Sequence, residues 1–415
     1  MVLICNRDAH NRATSDGETV AKLTYDGRHQ RINEHPHSMS ANKQTHSAPS
    51  THEDMIHIVG MYKCGTSWLL HMLAAHPQVV GWREFDAIGA VHTPRRRALT
   101  LPLTALDYLR PRPTSDAWMR RREDSTLRPA QDVFREMFLG RGWIPVMGSD
   151  KQKQAEGFDP KDLDELLTRL LELGDYRVRA STAPLIDPTR HNDLLTLMHA
   201  VRDCSQTQRI PTMFFEALRS QAVPGSRTAT KAADQLMQLA ALKQASPSSR
   251  IIAIVRDGRD AAISAQHFEG LMRKREAPWR TPKASYLRRL LGWSVRAAKL
   301  AEHARRGEIT VLRYEDVHTD FNKLCRSLFL ELELDVSPDI IERVKTATDF
   351  STVTEGRAPG DSAEHQIRKG SVGEWKDALT DPQAELAWKL AGGSLKKFGY
   401  TRSGAMEASP LVLDC

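Results

Sequence analysis

The sequence predicts an α/β fold, a mostly parallel sheet flanked by helices with a phosphate-loop-like strand-loop-helix and a large helical insertion. Three observations predict it. Short apolar runs rich in β-branched residues recur at 55–60, 250–256 and 309–314, each is followed by helical apolar spacing, and the first junction is a glycine-bearing loop. Strands alternating with helices place parallel strands side by side, with helices covering both faces.

In chain order, residues 1–52 are rich in His, Asn, Ser, Thr and charge without sustained periodicity, so they read as a disordered leader. A single domain is expected over 53–400. It opens with the strand Met55-Ile56-His57-Ile58-Val59-Gly60 and a helix from Ser67 to Ala75. An insertion over 85–229 is mainly helical in pattern, with helices at 162–173 and 191–201, and carries Arg95-Arg96-Arg97 and Arg120-Arg121-Arg122. The run 250–256 is of buried parallel type and leads into a helix beginning near Asp260. A third strand at 309–314 precedes a helix over about 320–332, and 401–415 form a C-terminal tail.

Composition narrows the classes without choosing one. With 40% hydrophobic and 27% charged residues, the 415-residue chain can bury a core of ordinary size. The net charge of +7 favours anionic ligands without separating nucleic acid from nucleotide. The five cysteines are too scattered for a zinc or redox motif, so free thiols in a reducing compartment are expected. No stretch approaches the roughly 18 apolar residues of a membrane span, and the N-terminus lacks a signal-peptide centre, so a cytoplasmic location without integral membrane contact is expected.

Chemistry enters at Gly60-Met61-Tyr62-Lys63-Cys64-Gly65-Thr66-Ser67-Trp68. Where a strand gives way to a helix, unpaired N–H groups and the helix dipole favour a phosphate. A nucleoside-triphosphatase loop would end Gly-Lys-Ser or Gly-Lys-Thr; here Gly65 is followed by Thr66-Ser67, and the lysine stands earlier, at Lys63. From there a lysine can reach the oxygen that bridges a phosphate and a transferring group, while the usual magnesium-triphosphate arrangement is missing. A glycine turn with an exposed lysine is the plain alternative. Further along, Arg256 ends a strand and Ser264 follows on the next helix, a pair able to converge on a phosphomonoester. A salt bridge from Arg256 to Asp257 or Asp260 is the competing reading. Arg368-Lys369-Gly370-Ser371-Val372-Gly373-Glu374-Trp375-Lys376 joins two cations to two glycines, a loop able to wrap a phosphate and anchored by Trp375.

On these residues the chain resembles the sulfotransferases that use 3′-phosphoadenosine 5′-phosphosulfate (PAPS). Their phosphosulfate loop reads Tyr-Pro-Lys-Ser-Gly-Thr-Thr-Trp, of which Lys63, Gly65, Thr66 and Trp68 are kept. The 368–376 segment matches their Arg-Lys-Gly-x-x-Gly-x-Trp-Lys signature residue for residue. The resemblance covers 55–84 and 230–400. It implies that Lys63 contacts the bridging oxygen, that the loop Cys64, Gly65, Thr66 and Ser67 cradles the 5′-phosphate, and that Trp68 packs against adenine. It further implies that Arg256, Ser264, Arg368, Lys369 and Gly370 hold the 3′-phosphate. Phe350 is either an adenine contact or a core residue, and Tyr314-Glu315-Asp316 resembles a structural element of the family. The product would be 3′-phosphoadenosine 5′-phosphate (PAP), with no metal required.

Sulfuryl transfer also needs a base for the acceptor hydroxyl. Glu84, in His76-Pro77-Gln78-Val79-Val80-Gly81-Trp82-Arg83-Glu84, resembles the glutamate base of carbohydrate-type enzymes; a surface pair with Arg83 or Arg95 is the alternative. His92, before Thr93-Pro94, is the rival, because phenol and steroid enzymes use a histidine in a His-x-Pro setting. Lys231 resembles the Lys-Thr-Pro element of the glutamate class, without the Thr-Pro. The expected acceptor is a hydroxyl of a carbohydrate or glycolipid, with a phenol, steroid or other small alcohol as the alternative. A phosphate-loop kinase would need an acidic magnesium ligand after a core strand, where Arg256 stands. A non-catalytic nucleotide- or nucleic-acid-binding protein would have to use the arginine clusters, which no recognition motif accompanies.

Overall fold

The computed structural model describes residues 55–82, 87–88, 177–178, 180–185, 200, 209–275, 285–354, 356–358 and 370–414. The leader, the arginine clusters, the helices expected over 162–173 and 191–201 (Ala200 apart), Glu84, His92, Arg368 and Lys369 lie outside them.

The first strand, β1 (Met55–Gly60), is buried along its whole length and is followed by α1 (Thr66–Ala75) and the short β2 (Val79–Gly81). After α2 (Ile210–Arg219) comes β3 (Arg227–Lys231), so the expected insertion boundary at 229 falls inside a strand. A 3-10 helix (Ala233–Gln238) and α3 (Leu239–Ala245) lead to β4 (Arg250–Val255). Then follow α4 (Gly258–Arg275), α5 (Tyr286–Arg305), β5 (Thr310–Arg313), α6 (Asp316–Thr319), α7 (Phe321–Glu331) and α8 (Pro338–Thr348). The chain finishes with α9 (Phe350–Val353), α10 (Trp375–Ala378) and α11 (Asp381–Lys396).

All five strands are parallel, in the order β2-β3-β1-β4-β5. Alternation along each strand divides the interior in two. Met55 and Val59 of β1 and Ile251, Ala253 and Val255 of β4 face one core, shared with Phe214 of α2, Trp293 and Leu300 of α5 and Leu395 of α11. Ile56, Ile58, Ile252 and Ile254 face the other, shared with Leu69 and Leu73 of α1, Leu328 and Phe329 of α7 and Val344 of α8. This two-sided burial is why the strands read as continuous apolar runs.

Local chemistry sets the helix ends. Ser285 accepts from the Arg288 N–H (3.3 Å) to start α5, and Asp320 accepts from the Lys323 N–H (3.0 Å) to start α7. Both sheet edges are covered by non-strand backbone. Beside β2, the Val178 N–H donates to the Gly81 carbonyl (2.8 Å), and Ser181 Oγ bonds both Gly81 N–H and Val79 O (3.2 and 3.1 Å). Beside β5, the Leu413 N–H donates to the Val311 carbonyl (2.8 Å), with Val412 packed on one core and Leu413 on the other.

Connections leave β1 towards β2 and leave β4 towards β5, in opposite directions across the sheet. A crevice is therefore expected outside the carboxyl ends of β1 and β4, where such folds bind ligands.

Candidate active site

The loop leaving β1 is held in a conformation only certain residues allow. Lys63 has φ +63° and Gly65 φ +99°, both left-handed. At Gly65 a Cβ would stand 2.8 Å from Cδ2 of Tyr314, which follows β5, so this glycine is needed for close packing as well as for backbone freedom. Helix α1 then starts at Thr66 with no side chain capping its first amides and no acidic residue in its first turn, leaving positive partial charge at the loop. Ser67 is exposed there, and Lys231, from the end of β3, donates to its Oγ (3.1 Å). Lys231 and the loop, expected from separate motifs, thus meet.

Lys63 Nζ lies 4.2 Å from the ring centroid of Phe268 on α4 and 5.7 Å from that of Tyr62, and these two rings meet edge to face at 5.6 Å. The lysine on which group transfer is expected to depend thus rests on an aromatic wall. Cys64 differs from the other loop residues. Its side chain is fully buried towards Arg256 and Trp293, and burial pushes the thiol up to about 12, against the pull of Arg256. A ligand on the loop would meet its backbone rather than its sulfur. Thr66 is also largely buried.

Arg256 comes directly after β4 and is 9% exposed. Its Nη2 donates to the Ser371 carbonyl (2.7 Å) and lies 3.5 Å from an Asp260 oxygen, while the guanidinium carbon sits 4.9 Å from the Tyr314 ring centroid. Its Nε, buried as well, has no hydrogen-bond partner among the described residues. The competing salt bridge is therefore present with Asp260 but not with Asp257, whose carboxylate is taken by Arg259 (2.7 Å). Ser264 stands one helical turn beyond Asp260 and is half-buried.

The segment after Gly370 is tied to the same place. Asp260 Oδ2 accepts from the Gly373 N–H (2.7 Å) and Oδ1 from the Trp375 N–H (2.8 Å). Arg259, fully buried, stacks on Trp375 at 3.7 Å and donates to the carbonyls of Thr401 and Arg402, 2.9 Å each. Gly370, at φ +63°, lies against Phe350: a Cβ there would stand 2.6 Å from the ring. Trp68, far from this segment in sequence, is half-buried, its Nε1 donating to the Thr348 carbonyl (3.4 Å) and its ring edge-on to Phe321 at 6.2 Å. The 348–350 turn thereby links Trp68 to Gly370.

Three residues of this site escaped the sequence reading. Tyr314, read only as part of a structural element, closes on Gly65 and Arg256. Asp260, read as a helix start or salt-bridge partner, holds the 370–376 segment. Phe268, on α4, supports Lys63. A Tyr-Glu-Asp after a strand and an acid four residues after the strand-ending arginine were the available signals. Behind them, Glu315 Oε1 accepts from the Asp257 N–H (3.0 Å) and Oε2 from the Tyr400 hydroxyl (2.6 Å).

No group of three or more metal-ligating side chains occurs among the described residues, and no described helix is long and apolar enough to cross a membrane. Among solved structures, the chain is similar to mouse sulfotransferase SULT7A1 complexed with PAP, at 23% identity over 45% of this chain and 70% of that one, with TM-score 0.35. It is also similar to sulfotransferase STF9 from Mycobacterium avium, at 14% identity over 85% of this chain and 79% of that one, with TM-score 0.43. Residues 53–399 match the family model described as the sulfotransferase domain, a span that takes in the loop after β1, Arg256 and the 370–376 segment, and the chain therefore belongs to the sulfotransferase family.

Proposed function

We propose that this enzyme transfers a sulfuryl group from PAPS to a hydroxyl of a carbohydrate or glycolipid acceptor, releasing PAP and a sulfate ester. The observation that carries the reading is the buried Arg256 beside the loop after β1, with an Nε donor that has no hydrogen-bond partner among the described residues. A buried, unsatisfied guanidinium N–H is costly, and a phosphate oxygen removes that cost. The loop amides and the start of α1 suit the 5′-phosphosulfate end, and Arg256 suits the 3′-phosphate.

In the transfer the acceptor oxygen forms its bond to sulfur as the bond from sulfur to the bridging oxygen breaks. The acceptor proton passes to a base, and the electron pair of the broken bond stays on PAP. Lys63 stabilises the charge that develops on that oxygen. Lys231, bonded to Ser67, adds positive charge at the same loop. Glu84 takes the proton in this reading, with His92 as its rival. The carboxylate favours carbohydrate. The aromatic wall of Tyr62 and Phe268 beside Lys63 favours the second reading, a phenol, steroid or other flat small alcohol.

Calorimetry with PAP and adenosine 5′-phosphate tests the nucleotide assignment. PAP should bind at least about tenfold more tightly, and Arg256→Ala should abolish the difference. Equal affinities in the wild type would remove the assignment. A screen of saccharide, glycolipid and phenolic acceptors with labelled PAPS then decides the acceptor class.

A further inference from the structure

We propose that Asp260 is a positioning residue for nucleotide recognition: it fastens residues 371–375 to the end of β4 and so fixes Arg256 in the orientation that reads the 3′-phosphate. The inference rests on the reading of Arg256 given above. Asp260 is an odd group to find here. Its carboxylate is fully buried and lies 3.5 Å from Arg256, an arginine that is to meet a dianion, where its charge opposes the ligand. Burial, above all, raises the Asp260 pKa, while Arg256 lowers it. A group kept there against such a cost needs a compensating task, and its hydrogen bonds supply one.

Each carboxylate oxygen accepts a different main-chain N–H of one short segment, Gly373 to Oδ2 (2.7 Å) and Trp375 to Oδ1 (2.8 Å). Gly373 has φ +79° with nothing within 4 Å of where a Cβ would stand. Glycine is thus called for by the turn itself, which aims two amides at one carboxylate. The same segment returns a carbonyl to the arginine, Ser371 O to Arg256 Nη2 (2.7 Å). Asp260 and Ser371 together occupy the Nη2 corner of the guanidinium, while the buried Nε has no hydrogen-bond partner among the described residues. Trp375, pinned by its N–H, presents its ring to Arg259, which holds Thr401 and Arg402 in turn. Asp260 is therefore the point at which the arginine's orientation and the fastening of the segment become one event.

The rival account makes Asp260 a mere counter-ion, and the two accounts predict opposite signs for Asp260→Asn. Removing a negative charge beside a phosphate strengthens binding if charge is all that matters. If positioning matters, the amide fails, because the two N–H groups bond to different carboxylate oxygens and asparagine would set an NH2 donor against one of them. Calorimetry on the full chain should show PAP affinity falling about tenfold or more, with adenosine 5′-phosphate affinity changed far less. PAP affinity equal to or above the wild type overturns the proposal. Arg256→Ala, measured alongside, separates the two levels. If it leaves the preference for PAP intact, the reading of Arg256 fails and the proposal falls with it. If it abolishes the preference while Asp260→Asn does not weaken PAP, the proposal alone falls. The wild type answers independently of whether the variant folds. Because coupling between sites is reciprocal, saturating PAP should slow hydrogen exchange at the Gly373 and Trp375 amides about tenfold or more, whereas adenosine 5′-phosphate should not. Equal effects of the two nucleotides on these amides would also overturn it.

Discussion

Replacing Glu315 with glutamine should flatten the pH dependence of stability. Glu315 is 3% exposed, and burial, above all, pushes its carboxyl from 4.5 to about 7. The Asp257 N–H and the Tyr400 hydroxyl pull the other way, and the Asp257 charge adds to the rise. Between those two values the folded protein holds a proton that the unfolded chain has released. This contribution to stability is therefore complete below 4.5 and is lost as pH rises through about 7. At 1.36 kcal/mol per unit, the full change is about 3 kcal/mol, most of it between pH 5 and pH 8. Glutamine keeps the shape, can accept from the Asp257 N–H and can donate to the Tyr400 oxygen, but it does not titrate. Urea unfolding of wild type and Glu315→Gln at both pH values isolates the difference, because every other group titrates in both proteins. The wild type should lose about 2 to 3 kcal/mol more than the variant on going from pH 5 to pH 8. Parallel losses would show that the buried carboxyl titrates near its ordinary value and would refute the reasoning.

Other outcomes follow from the same geometry. Lys63→Ala should lower kcat much more than PAP affinity, since its interaction strengthens as charge develops on the leaving oxygen; single-turnover kinetics beside calorimetry would reveal an equal loss in both, which would contradict that role. Gly258→Ala places a Cβ 2.4 Å from Cε3 of Trp293 and should cost about 1 to 3 kcal/mol by overpacking, read as a lower urea midpoint; an unchanged midpoint would mean that the ring moves freely. Glu84→Gln should depress turnover roughly a hundredfold while keeping PAP binding, and His92→Ala should be mild. The reverse pattern would transfer the base to His92 and favour phenol or steroid acceptors.

Legibility in the sequence followed how each residue is buried. Strands β1, β4 and β5 were readable because both their faces meet a core, and the helix expected over about 320–332 is α7, Phe321–Glu331. β3 was not, because Arg227-Thr228-Ala229-Thr230-Lys231 carries little apolar signal although Thr228 and Thr230 are buried. β2 is three residues long, too short for any period. At the site, the loop, Arg256 and the glycines of 370–373 were legible because their backbone demands are local. The bonds from Asp260 to Gly373 and Trp375 join residues more than a hundred positions apart, and the approach of Tyr314 to Gly65 likewise depends on strand order. Neither has a local signature. The buried thiol of Cys64 shows the converse limit, since a residue inside a binding motif can face the interior.

The backbone lying along β2 and β5 bears on how the protein behaves among other copies of itself. A bare outer strand offers a row of amides and carbonyls as a template for a foreign strand, the common beginning of aggregation. Val178 and Ser181 occupy such groups on one side and Leu413 on the other, each from a segment too irregular to extend the ladder. The sheet thus ends within its own chain at both margins. Loss of the Leu413 bond would leave β5 as the margin most open to intermolecular pairing, a liability in crowded or partly unfolded preparations rather than in the chemistry of transfer.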